Sequence, residues 1–169
     1  GLKPPPDQQS YRQAFVVPVA TKLEEASLRV GKQEAELGES FQPFAFSASG
    51  EVDGQAVFVG YGITAPEHDY DDYAGVDVEG KIAVVLRGEP YHPETNQVAF
   101  DGASPSRHSD LVTKALNARD HGAKALVVVN DPRTYLGEKA RLDELYTLEE
   151  AASSANILAV HMTAKGAKK

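Results

Sequence analysis

The chain has 169 residues, 41% apolar and 25% charged, with 17 Lys and Arg against 25 Asp and Glu, a net charge of −8 and no cysteine. That length supports one domain with a proper core, while the dispersed acidity argues against a nucleic-acid or anionic-membrane binder, which needs clustered Lys and Arg, and is read as favouring solubility. The absence of thiols excludes a disulfide framework, a thiol nucleophile and a thiolate metal site, and no apolar run approaches the ~18 residues of a membrane helix.

Residues 1–10 are rich in Pro and Gln and read as an extended lead-in. Neither end has the pattern of a signal peptide, and the abrupt ends, GLKPPP and KGAKK, read as those of a piece of something larger. Residues 14–20, AFVVPVA, have strand composition, and Pro18, lacking an N–H, assigns them to a sheet edge. Residues 26–30 and 34–37 are short enough to pair across the polar turn at 31–33. Residues 41–46 carry Phe41, Phe44 and Phe46, three of six phenylalanines. They read as core anchors, because burying such rings is a large hydrophobic gain; an exposed aromatic ledge is the alternative.

The centre of the chain is residues 56–90. Two valine-rich runs, 56–61 and 82–86, are short enough for buried strands. Gly60 and Gly62 bracket Tyr61 where the first run ends, marking a bend or a close backbone approach. Residues 91–107 form a long connection without period, a length that is often functional. A helix is predicted over 109–121, capped by Ser109, with Asp110 in the first turn and Gly122 closing it; Leu111, Ala115 and Ala118 share one face. Residues 125–130, ALVVVN, form a third strand, residues 143–152 a further helical stretch, and residues 157–161 a fourth apolar run. Strands with one clear strand–helix–strand unit and long loops give an α+β, β-rich class.

Each candidate for chemistry has a plainer reading. Glu67, His68, Asp69, Asp71 and Asp72 form the densest acidic cluster. It lacks the ordered spacing of an EF-hand, and Asp fills turns for backbone reasons alone; a cation site is the alternative. His108-Ser109-Asp110 is an H-x-D, and Glu24-Glu25 and Glu149-Glu150 are E-E pairs of the kind di-zinc hydrolases use. The first opens a helix instead of ending an apolar strand, and the pairs sit in polar, Ala-rich stretches, so all three read as solvated surface. His92, His121 and His161 read as structural or surface residues. G-x-S-x-G, Walker and G-x-G-x-x-G motifs are absent, which leaves no catalytic set in the sequence.

Residues 57–90, VFVGYGITAPEHDYDDYAGVDVEGKIAVVLRGEP, resemble the protease-associated (PA) domain as inserted in bacterial di-zinc aminopeptidases related to aminopeptidase S and glutamate carboxypeptidase II. The matching features are Val59-Gly60-Tyr61-Gly62-Ile63, then Tyr70-Asp71-Asp72-Tyr73, then Asp77-Val78 with Gly80-Lys81, then the second strand; residues 114–130 match the later helix, Gly-Ala and strand. The resemblance implies a β-sandwich or open barrel with flanking helices. It divides the chain into a lead-in from a catalytic domain at 1–12, the PA-like domain at 13–163 and a tail at 164–169. It implies a non-catalytic accessory domain of a secreted or periplasmic zinc aminopeptidase, a hydrolase, that shapes substrate access and binds peptide or protein. Its partners would be the parent catalytic domain and the substrate, with no nucleic acid and no membrane span. The zinc and its ligands would lie in the parent domain, so no catalytic residue, metal ligand or cofactor is carried onto this chain. The candidate substrate contacts are Tyr61, Tyr91 and Arg107, with Arg107 as partner for a substrate carboxylate; the plainer reading puts Tyr61 in the core and leaves Arg107 a solvated loop charge. A stand-alone or receptor-type PA module for a protein ligand is the alternative function, and a cryptic hydrolase built on His108, Asp110 and an E-E pair is a third.

Overall fold

The valine-rich runs pair with each other as parallel strands in the computed structural model, which describes residues 25–92, 98, 100, 104–131 and 155–163. In chain order the elements are β1 (Leu28–Val30), β2 (Gln33–Ala35), β3 (Phe41–Pro43), β4 (Ala56–Phe58), β5 (Thr64–Ala65), β6 (Tyr70–Asp71), β7 (Ile82–Leu86), α1 (Leu111–Asp120), β8 (Ala125–Val129) and β9 (Leu158–Met162). Short 3-10 turns occupy Pro66–His68 and Arg107–Ser109. The expected strand at 14–20, the lead-in at 1–12, the helical stretch at 143–152 and the tail at 164–169 lie outside the described residues, as does part of the 91–107 connection.

Five strands form one mixed sheet in the order β3-β9-β8-β7-β4. β4, β7, β8 and β9 run parallel, and β3 is antiparallel to β9. β1 and β2 pair antiparallel as expected, but across a two-residue turn at 31–32, since Gln33, expected in the turn, pairs with Val30; β5 and β6 form a second small ribbon. The class is the α+β, β-rich one expected, with a larger share of parallel pairing than a single strand–helix–strand unit implied.

The period of two along the strands sorts the side chains by face. Ala83 and Val85 of β7, Leu126 and Val128 of β8 and Ala159 of β9 are all fully buried and join Ala115 and Ala118 of α1 in one core cluster. Alanine at both helical positions lets α1 lie close on the sheet. β8 is the middle strand, with four consecutive residues buried, as a parallel strand covered on both faces must be. Each fully buried valine or leucine contributes about 1.5–3 kcal/mol of transfer free energy. Phe41 and Phe44 are buried and Phe46 is half-buried, stacked on Phe44 at 4.9 Å, so the aromatic run anchors the core.

The start of α1 lies one residue beyond the expected place. Asp110, not Ser109, caps the helix, accepting from the Thr113 amide at 2.8 Å and the Thr113 hydroxyl at 3.0 Å. Ser109 instead donates to the Ser106 carbonyl at 2.7 Å, within the preceding 3-10 turn. An Asp carboxylate outcompetes a hydroxyl here because it also meets the positive end of the helix. Gly122 closes the helix at φ +82°, as expected; a Cβ there would sit 1.8 Å from Glu79 Oε2.

Candidate functional site

Two constructions of polar residues stand out, and both involve the segment after β4. The first is the turn at 60–63. Gly60 (φ +49°) and Gly62 (φ +66°) adopt left-handed backbone, and a Cβ on them would meet Asp72 Oδ1 at 2.3 Å and Val85 Cγ1 at 2.6 Å. The approach explains the glycines: Asp72 Oδ2 accepts from the Tyr61 amide at 2.9 Å and from the Ile63 amide at 3.1 Å, while Asp72 Oδ1 accepts from the Tyr70 hydroxyl at 2.7 Å. From α1, the fully buried Lys114 donates through Nζ to the Tyr61 carbonyl, and Asn117 donates to the Gly62 carbonyl at 3.2 Å. Burial pulls the Lys114 ammonium down to about 8, against the opposing charges of Asp72, Glu89 and Asp110. Burial also raises the Tyr70 phenol, helped by its bond to Asp72. This turn is a structural buckle, and Asp72 plays the turn role the sequence favoured for the acidic cluster.

The second construction joins two 3-10 turns that are far apart in sequence. Pro66–His68 sits between β5 and β6 and is ended by Asp69 in the left-handed region at φ 52°. Arg107–Ser109 leads into α1, and its first turn is pinned by Ser106, whose hydroxyl accepts from the His108 amide at 3.2 Å. Ser106 is itself held by the buried Glu89 carboxylate, which accepts from the Ser106 amide at 3.1 Å and from its hydroxyl. In this frame Glu67 Oε1 lies 3.0 Å from His108 Nε2 and accepts from the Arg107 guanidinium. The ligand atoms of Glu67, His68 and His108 lie within 4.8 Å of one another. Phe100 stacks on His68 at 4.7 Å between ring centroids and meets His108 edge-on at 5.7 Å, so one ring orients both imidazoles. Glu67's own backbone amide, with the Arg107 guanidinium, holds its carboxyl down to about 2.

His108 therefore departs from the solvated reading of the H-x-D: it is 5% exposed and faces Glu67 across a separation of 41 residues. Its companion Asp110 is committed to the helix cap. Of the E-E pairs, Glu25 is exposed, and Glu24, Glu149 and Glu150 lie outside the described residues. His161 is fully buried with Nε2 2.9 Å from Asn130 Oδ1, His121 stacks on Tyr73 at 4.0 Å, and His92 is exposed.

The three candidate contact residues occupy different settings. Tyr61 is 6% exposed and its hydroxyl donates to the buried Asp131 at 2.7 Å, the core placement of the plainer reading. Tyr91 is half-buried and forms an isolated antiparallel bridge with Val98. Arg107 is exposed over 77% of its side chain while paired with Glu67. Glu67 and His68 stood together in the acidic cluster of the sequence, but that His108 joins them was not legible, because it lies on another polar turn about forty residues away with no fixed spacing to them.

A mixed five-stranded sheet backed by one helix, with two small antiparallel ribbons beside it, defines a β-rich α+β domain. The sequence matches the PA domain family over residues 38–169, and the chain belongs to that family. Among solved structures it is similar to an aminopeptidase from Aneurinibacillus sp. strain AM-1, with 23% identity and a TM-score of 0.54 over 86% of this chain and 26% of that one. It is also similar to BSAP, a zinc aminopeptidase from Bacillus subtilis, with 20% identity and a TM-score of 0.51 over 85% of this chain and 27% of that one. The chain thus spans about a quarter of the length of the aminopeptidases it matches. Among curated proteins, none matches the sequence. No helix among the described residues is long and apolar enough to cross a membrane.

Proposed function

We propose that this chain is the accessory PA domain of a secreted or periplasmic zinc aminopeptidase, non-catalytic in itself, which flanks the entrance to the parent enzyme's active site and contacts peptide or protein substrate beyond the scissile bond. The observation that carries this reading is the match of most of the chain to one quarter of two bacterial aminopeptidases, on top of the family match. The catalytic zinc belongs to the parent domain. Contacts remote from the reacting bond serve catalysis when they strengthen at the transition state. Arg107 presents an accessible charged head for a substrate carboxylate and Tyr91 lies at the start of the same connection, whereas Tyr61, buried and bonded to Asp131, supports the fold beneath them and is not itself offered to a substrate.

The test is an aminopeptidase assay of the 169-residue chain with added zinc, together with the sequence of the reading frame that encodes it. The expected result is no turnover and peptidase sequence on both sides of the domain. Turnover by this chain alone overturns the non-catalytic reading, and a reading frame without peptidase sequence overturns the parent enzyme in favour of a receptor-type module.

A further inference from the structure

We propose that Glu67, His68 and His108 form a mononuclear site for a divalent transition-metal cation, zinc foremost, at which the Arg107 guanidinium competes with the ion for Glu67. This site lies within the PA domain and does not rest on the parent-enzyme reading. Three observations converge on it. The first is donor geometry: one carboxylate oxygen and two imidazole nitrogens already lie within 4.8 Å of one another, close enough to share a single ion. The second is pre-organisation. His108 is buried, its amide is held by Ser106, Ser106 is held by the buried Glu89, and Phe100 packs on both imidazole rings. The cost of ordering His108 is therefore largely met by the fold before an ion binds, and Phe100 restrains His68. The third is the Arg107 contact: a cation already sits against Glu67 Oε1, on a side chain exposed enough to swing into water at little cost.

The donor set decides the class of ion. Calcium and magnesium take six or more oxygens, and this site offers one carboxylate. Two imidazoles with one carboxylate suit zinc and its first-row neighbours, and three protein ligands leave a coordination position for water. The ion would also act as a staple. Glu67 and His68 belong to the turn between β5 and β6, whereas His108 stands at the head of α1, so ligation ties together segments about forty residues apart. Closing a loop of that size through a metal stabilises the fold in proportion to how tightly the ion binds.

The experiment is zinc titration of the 169-residue chain by calorimetry, with thermal melts and the visible spectrum of the Co²⁺ form. The expected result is one ion per chain at micromolar Kd and a rise in Tm of about 5 °C at zinc near one hundred times that Kd. The decisive variant is His68→Ala, because His68 is exposed and its removal leaves the core intact, whereas His108 is buried and its replacement risks the fold. His68→Ala should weaken zinc by about tenfold or more and abolish the four- or five-coordinate Co²⁺ bands. Arg107→Gln should tighten zinc several-fold by removing the competitor. Zinc affinity weaker than about 1 mM for the unaltered chain, or an affinity that His68→Ala leaves unchanged, overturns the site.

Discussion

Lys114 reaches from the middle of α1 to the carbonyl oxygen of Tyr61, on the same turn whose amides Asp72 binds from the other side. One lysine and one aspartate, 42 residues apart in the chain (114 − 72), thus hold a short backbone segment between them. The turn closes the crossover from β4 and sets the path of the chain toward Glu67 and His68.

Asp72→Ala should cost about 3 kcal/mol or more, because it strips the Tyr61 and Ile63 amides and the Tyr70 hydroxyl of their acceptor at once. Urea denaturation of the variant against the parent chain measures it. A loss below about 0.5 kcal/mol would mean that the turn stands without its carboxylate.

The same turn confers a pH dependence. With its folded value lowered from 10.5 to about 8, Lys114 releases its proton in the folded chain before it does so in the unfolded one. Between those values the unfolded chain binds more protons, so stability rises with pH. The Tyr70 and Tyr73 phenols, raised by burial, act in the opposite sense above their ordinary value of 10, where the folded chain retains protons that the unfolded chain has lost. The Lys114 gain is thus read between pH 8 and about 9.5, where it amounts to something on the order of 1 kcal/mol. Lys114→Met should abolish that slope whatever it does to the absolute stability, and an unchanged slope in the variant would assign the effect elsewhere.

Tyr73 offers a stabilising substitution. Its ring is buried and stacked on His121, yet its hydroxyl is the buried side-chain polar atom that has no hydrogen-bond partner among the described residues. Tyr73→Phe keeps the ring and removes the unsatisfied group, so stability should rise by about 1 kcal/mol. A fall of that size in a thermal or chemical melt would show that the hydroxyl is satisfied in solution.

Two glycines with similar backbone separate strain from crowding. Gly62→Ala places a methyl 2.6 Å from Val85 Cγ1 in a left-handed residue and should cost more than about 2 kcal/mol. Gly75 has φ +75° with nothing within 4 Å of its Cβ position, so Gly75→Ala should cost only the backbone preference, about 1 kcal/mol. Equal costs in paired denaturation curves would remove the crowding from the account.

Much of this molecule is written locally. The valine runs at β4, β7 and β8, the short β1–β2 hairpin, the aromatic anchors Phe41 and Phe44, and α1 with its closing Gly122 each follow from composition and periodicity within a single segment. Those signals survive because each depends on neighbours in the chain: a period of two or 3.6, a cap, a glycine with positive φ. The displaced cap shows their limit, since Ser109 and Asp110 are both good capping residues and the 3-10 turn ahead of the helix chooses between them.

The roles of the polar residues come from packing. No local pattern distinguishes Asp72, which binds two amides of a turn, from Asp71 beside it, or tells that Lys114 is fully buried while Lys124 is exposed. Nor does any spacing foretell that His108 meets Glu67 and His68, because contacts between loops are set by how the sheet and α1 dock. Which segments extend, which coils and where the apolar faces lie follow from the order of residues within each segment, because those depend on short-range periodicity. Only the folded chain decided which of its scattered charges and imidazoles became neighbours, because that proximity is a property of packing between segments some forty residues apart.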